Sequence, residues 1–245
     1  MKNEKTSLLP AKDALCKVDC VIERNKDLID HLLGDKNGIY KNSTDGHDIQ
    51  HITRVLRYAI LIGLNEGGDE KVLIISAILH DAHRWMRTDE NKYVSPQESL
   101  VYVEEVIKGL DLTDLQREKI KNAVLHHEDY NFNGEKQDFD IETLIIQDAD
   151  NLDAMGAIGV VRTFKYGFSH NLPDYDEKVE LYQQEKYYDG FKEASTIHHM
   201  HNKLIRLALT LNTPTAKALG QEKNRVMNDF IKAFISEWKG FLGEN

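Results

Sequence analysis

His80 and Asp81 stand side by side at the end of residues 72–79, a run that is apolar except for Ser76. An imidazole and a carboxylate are expensive to bury unless something neutralises them, and a divalent metal is the commonest such partner. A single His-Asp dipeptide arises often by chance, so its weight depends on what else the chain offers. It offers His51 on an earlier segment and an aspartate within Gln147-Asp-Ala-Asp-Asn-Leu-Asp-Ala154. Together these would surround one divalent ion with mixed nitrogen and oxygen donors, a set that suits Mn, Fe, Co, Ni or Zn and whose oxygen share admits Mg.

Asp148 and Asp150 do not serve easily together, because residues two apart on a helix point about 200° from each other. Asp150 is the better choice. It shares a face with Asp153, Ala154 and Ala157, small or polar neighbours suited to a packed site, whereas Asp148 shares its side with Leu144, Ile145 and Leu152.

Further groups could act on a ligand of that ion. His47, His51, Arg54 and Tyr58 recur at steps of four, three and four, which is one stripe of a helix. Arg54, one turn from His51, is the candidate for stabilising charge on a transferring phosphoryl group; the plainer reading is a salt-bridged arginine. His83 and Arg84 follow the His-Asp pair on the side of His80, His83 as a proton carrier and Arg84 as a substrate contact. His126 and His127 end a helical stretch before Glu128, which could orient a neighbour. His127 is the preferred one, as phosphate contact, general acid or second-metal ligand, against a helix end where histidine favours the dipole. Lys165, with Arg162, could reach a ligand's outer phosphates, or lie on a solvated surface. His198, His199 and His201 are too closely spaced to converge on an ion without partners, so packing or solvent is the stronger reading.

The elements that must hold these residues read as helices. Residues 11–33 have a helical apolar spacing that Gly34 can stop, and a second such segment runs from His47 to Gly67-Gly68. Asp69 can cap the helix that runs into His80 and Asp81. Ser95-Pro96-Gln97-Glu98 and Thr113-Asp-Leu-Gln116 are capping-box patterns. Residues 141–164 read as one long, small-residue helix, and about 194–211 as another. Thr213-Pro214 opens a last helix that Gly240 closes, with Phe230, Phe234, Ile235 and Trp238 on its core face. The fold class is therefore all-α.

At 245 residues without linker, repeat or low-complexity segment, one domain is the expectation. A formal charge of −10 argues against an extended nucleic-acid surface, since phosphate backbones are bound by clustered Lys and Arg. Cys16 and Cys20 are the only cysteines, and with no signal-peptide pattern they read as reduced thiols and small core hydrophobes. The apolar runs are far shorter than a membrane span. A cytoplasmic protein with no membrane partner is expected, its oligomeric state left open.

The pattern His47-Asp48-Ile-Gln-His51-Ile-Thr-Arg54-Val55, then Leu79-His80-Asp81, then Asp148-Ala-Asp150-Asn-Leu-Asp153-Ala, resembles the HD-domain metal-dependent phosphohydrolase superfamily, and within it a bacterial subgroup with a His-Asp-x-x-His-x-x-Arg-Val opening. Gly156-Ala-Ile-Gly159 and the tail from Thr196 to Gly240 are similar to that subgroup too, so the resemblance covers most of the chain. It implies a single HD helical bundle, with a core at about residues 46–170 and a C-terminal helical extension over 171–245. It also implies metal ligation by His51, His80, Asp81 and Asp150, and hydrolysis of phosphoester or phosphoanhydride bonds, often in nucleotides. Some HD nucleotidases place an acidic residue near position 84. Arg84 departs from that, and Asp89 is a distant substitute.

The reading is an all-helical metal-dependent phosphohydrolase acting on a small phosphorylated metabolite, a nucleotide first, with release of pyrophosphate preferred because cations cluster beyond the metal. Two rivals are a nucleotide-binding sensor that has lost turnover, supported by Arg84, and a di-iron oxygenase on the same scaffold, which would need extra histidines.

Overall fold

Helix starts fall where a side chain can satisfy the first amides. The computed structural model describes residues 12–34, 48–86, 93–129, 132, 138–181 and 193–240. In chain order its helices are α1 (Lys12–Arg24), α2 (Lys26–Leu33), α3 (Ile49–Glu66), α4 (Glu70–Leu79), α5 (Ala82–Trp85), α6 (Pro96–Lys108), α7 (Asp114–His126), α8 (Ile141–Asp153), α9 (Gly156–Ser169), α10 (Thr196–Asn202) and α11 (Pro214–Trp238), with a 3₁₀ segment at Leu204–Leu209. The fold is all-α, and no strand pairing into a sheet occurs among the described residues. Asp48, Asp69, Asp140 and Thr213 each accept a hydrogen bond from an amide in the first turn of the helix they precede. Ser95 and Thr113 make reciprocal capping boxes with Glu98 and Gln116.

The core forms around α4. All eight residues 72–79 are buried, and α3, α7 and α8 pack against this helix. A helix covered on every side must be apolar on every side, which is why its sequence shows no polar face. Its C-terminal end consequently lies inside the protein, and the chain turns there at His80 and Asp81, both buried.

Several boundaries differ from the sequence expectation. The helix expected over residues 11–33 is two, broken at Asn25, whose amide group bonds the Val21 carbonyl and Glu70. Its Cys16 and Cys20 are exposed rather than core, and free. The segment over 141–164 is likewise two helices. Gly156 adopts φ +72°, a left-handed conformation that glycine reaches without strain, and a Cβ there would stand 3.0 Å from Lys223 Cγ. The stretch near 194–211 is a short α10 followed by the 3₁₀ segment. On α11 the buried side chains are Ala216, Met227 and Ile231; Phe230, Phe234 and Ile235 are partly buried and Trp238 is exposed.

Asp148 has a structural task. Its carboxylate accepts from the amides of Asn212 at 2.7 Å and Thr213 at 2.8 Å and from the Thr213 hydroxyl at 2.7 Å, tying α8 to the start of α11. Burial pushes its pKa up, against those hydrogen bonds. No helix among the described residues is long and apolar enough to cross a membrane. Asp148→Ala should cost about 3 kcal/mol of stability by stranding two amides, while leaving metal affinity within a few-fold; urea denaturation and a Mn²⁺ titration check the two halves.

Candidate metal centre

Four side chains from three elements meet at the end of α4. His51 comes from the first turn of α3, His80 and Asp81 from the turn after α4, and Asp150 from α8. His51 Nε2 lies 3.2 Å from His80 Nε2, 3.3 Å from Asp81 Oδ2 and 3.5 Å from Asp150 Oδ1. His80 Nε2 is 3.6 Å from Asp81 Oδ2 and 3.9 Å from Asp150 Oδ1. Atoms that each stand about 2.1 Å from one ion are about 3.0–3.5 Å from one another, so the cluster has nearly the size of a filled coordination sphere.

Proton accounting shows why a cation fits. His51 Nδ1–H donates to Asp153 Oδ2 at 2.8 Å, and His80 Nδ1–H to the Ala77 carbonyl at 2.9 Å. These partners assign the tautomers and leave a lone pair on each Nε2. Burial pushes the His80 imidazole down to about 4, outweighing the pull of Asp81 and Asp150, so it is neutral near pH 7. Two ring lone pairs and two carboxylate oxygens then face one point with too few protons to share. His127 stands beside them: its Nδ1–H bonds the Val124 carbonyl at 2.7 Å, and its Nε2 is buried without a hydrogen-bond partner, 3.7 Å from Asp81 Oδ1. The residues present fit a divalent metal.

Asp153 organises one flank. Besides His51 it accepts from Arg54 Nε at 2.6 Å, Arg54 Nη2 at 2.9 Å and Arg162 Nη1 at 2.9 Å. Burial alone would raise this carboxyl, but His51, Arg54 and Arg162 hold it well below the usual carboxylate range. A carboxylate on the far nitrogen of a ligand histidine fixes the ring and raises its basicity. Lys223 of α11 sits over the Tyr58 ring at 4.9 Å, and its Nζ is 3.4 Å from the Met155 carbonyl. Burial, with Asp153 adding to it, pushes the Tyr58 hydroxyl up to about 12.

The other flank carries Arg84, expected to contact substrate. Its Nε donates to Asp81 Oδ1 at 2.9 Å and its Nη2 pairs with Glu128. His83 Nε2 is 3.5 Å from Glu128 Oε2, while its buried Nδ1 has no hydrogen-bond partner. Asp81, His83 and His127 make a second group whose donor atoms are close enough to hold an ion.

The structure thus brings His51, Arg54, His80, Asp81, His83, Arg84, His127 and Asp150 together. Lys165 is not among them: it is exposed on α9, and Arg162, one turn earlier, makes the contact instead. His126 bonds Asp129 outside the cluster. His198 is held by Ser195 and the Val179 carbonyl, and His199 stands 3.5 Å from Glu193, so both are packed. His47 and Asp89 lie outside the described residues.

The HD domain profile matches residues 48–155, a span that contains all four clustered donors. A solved structure of the Lin1889 protein from Listeria innocua is 30% identical, covering 88% of this chain and 98% of that one at a TM-score of 0.63. The chain belongs to the HD-domain family. An HD-superfamily hydrolase from Bacillus thuringiensis is similar at 27% identity, covering 91% of this chain and 98% of its own with a TM-score of 0.63. The uncharacterised protein YpgQ of Bacillus subtilis is 28% identical over 211 residues, 84% of this chain and 91% of YpgQ. The crystal structure of YpgQ in complex with ADP superposes at a TM-score of 0.57, with 24% identity over 90% of this chain and 97% of that one.

Two contributors to this HD-family site were under-read in the sequence. Asp153 was legible only as a neighbour of Asp150 on one helix face, although its partners come from α3 and α9. Lys223 gives no local signal at all.

Asp150→Ala and His80→Ala should abolish tight Mn²⁺ binding, and Asp153→Asn should weaken it about 10–100-fold with every ligand retained; isothermal titration measures all three. Burial and Arg162 press the His51 pKa down, but hydrogen bonds to Asp153 and Asp81 outweigh them and raise it. As pH falls, a second proton on His51, at Nε2, competes with the ion. Metal affinity should therefore fall as pH drops below neutrality, with proton release visible as a buffer-dependent binding enthalpy.

Proposed function

We propose that this protein is a metal-dependent phosphohydrolase that cleaves a phosphoanhydride bond in a nucleotide and releases pyrophosphate. The observation that carries the reading is the convergence of cations beside the ligand cluster: Arg54 and Arg162 meet on the carboxylate of Asp153, with Lys223 nearby and Asp48 also facing Arg54. Such a convergence of cations suits a polyanion bound next to a metal. The ADP held by YpgQ supports a nucleoside phosphate as that polyanion.

His51, His80, Asp81 and Asp150 would hold one divalent ion, which when bound polarises a phosphoryl oxygen and acidifies a water. Arg162 spends Nη1 on Asp153 and directs its remaining N–H groups to the outer phosphates. Arg54, fixed by two hydrogen bonds to Asp153, stabilises charge as the phosphoryl group moves. His127 holds a proton at Nε2 for the leaving oxygen, and His83, paired with Glu128, takes one from water.

Ion-exchange analysis of a nucleotide panel incubated with several metals tests the reaction. Pyrophosphate and a nucleoside monophosphate are expected; phosphate as the only inorganic product would overturn the proposed cut, and binding without turnover under every metal would make the chain a sensor. Arg162→Ala should lower kcat/KM by about 10²-fold without loss of metal, measured by steady-state kinetics beside a metal assay.

A further inference from the structure

Asp81, His83 and His127 form a second set of donors against the first, sharing Asp81. His127 Nε2 and His83 Nδ1 are buried and without a hydrogen-bond partner, and Glu128 brings a further carboxylate to His83. By donor chemistry alone this is the second half of a two-metal site with a bridging aspartate. What sets this chain apart is the side chain between the two carboxylates. Arg84 donates Nε to Asp81 Oδ1, the oxygen on the His127 side, and pairs Nη2 with Glu128.

We infer that Arg84 is a built-in cation that closes a latent second metal site, holding the centre to one ion and leaving His83 and His127 as proton carriers. The inference rests on the metal-centre reading above. The charges support it. One divalent ion balances Asp81 and Asp150, and Arg84 balances Glu128; a second divalent ion would add two positive charges beside a guanidinium that already uses the same carboxylate oxygens. Such an ion and Arg84 compete for one place, because both would draw on Asp81 and Glu128 and a guanidinium beside a divalent cation is a repulsive pair. Arg84 is thus a positioning residue, acting through Asp81 and Glu128.

The test loads the full chain with excess Mn²⁺, removes free ion, and reads metal content by mass spectrometry and metal–metal coupling by low-temperature EPR. Wild type and Arg84→Lys should retain about one uncoupled ion per chain. Arg84→Met, which removes the charge and keeps the bulk, should retain about two ions that are spin-coupled, and adding His127→Ala to it should restore about one. A coupled pair in the wild type, or a folded Arg84→Met that stops at one ion, would overturn the inference while leaving the metal centre intact. No retained ion in the wild type would overturn the metal-centre reading and this inference with it. Should Arg84→Met fail to fold, titration of the wild type beyond one equivalent decides: excess Mn²⁺ remaining free supports the inference, and a coupled signal overturns it.

Discussion

Polar donors delivered to the end of a fully buried helix have no water to satisfy them. His51 Nε2 and His80 Nε2 meet at 3.2 Å, each with its only proton committed to Asp153 or to the Ala77 carbonyl. Lone pairs at that distance repel, and the carboxylates of Asp81 and Asp150 add negative charge to the same point. A divalent cation resolves the conflict in one step, which is why the surrounding architecture reads as support for a metal.

The two flanks of the cluster handle charge differently. On the Asp153 side the guanidiniums of Arg54 and Arg162 converge on one carboxylate, with Asp48 also facing Arg54. On the Glu128 side the guanidinium of Arg84 is matched by Asp81 and Glu128, and the polar groups not so matched are imidazoles. The resulting site is asymmetric: guanidinium groups border one side of the cluster and imidazoles the other.

Helix starts were legible in the sequence because capping acts over three residues, and Asp69, Ser95, Thr113 and Thr213 all cap as their patterns suggest. Helix interruptions were less legible. Asn25 at the first break bonds Glu70 from another helix, and Gly156 at the second lies where a Cβ would crowd Lys223, nearly seventy positions away. The choice between Asp148 and Asp150 followed from helical phase alone, and the structure places Asp150 in the cluster and Asp148 at the cap of α11.

The sequence by itself determined the all-α class, the apolar helix ending in His80-Asp81, and the supply of His51 and Asp150, because periodicity, capping and donor type are local properties. The tertiary structure alone decided that Asp153 orients His51, that Arg162 and not Lys165 joins the site, and that Arg84 bridges Asp81 and Glu128. Each of these depends on the angle and distance between separate helices, set by how α3, α8 and α9 pack for the first two and by how α5 meets the end of α7 for the third. Residue order supplied the imidazole and carboxylate of the opening pair; packing supplied the neighbours that give each of their lone pairs a task.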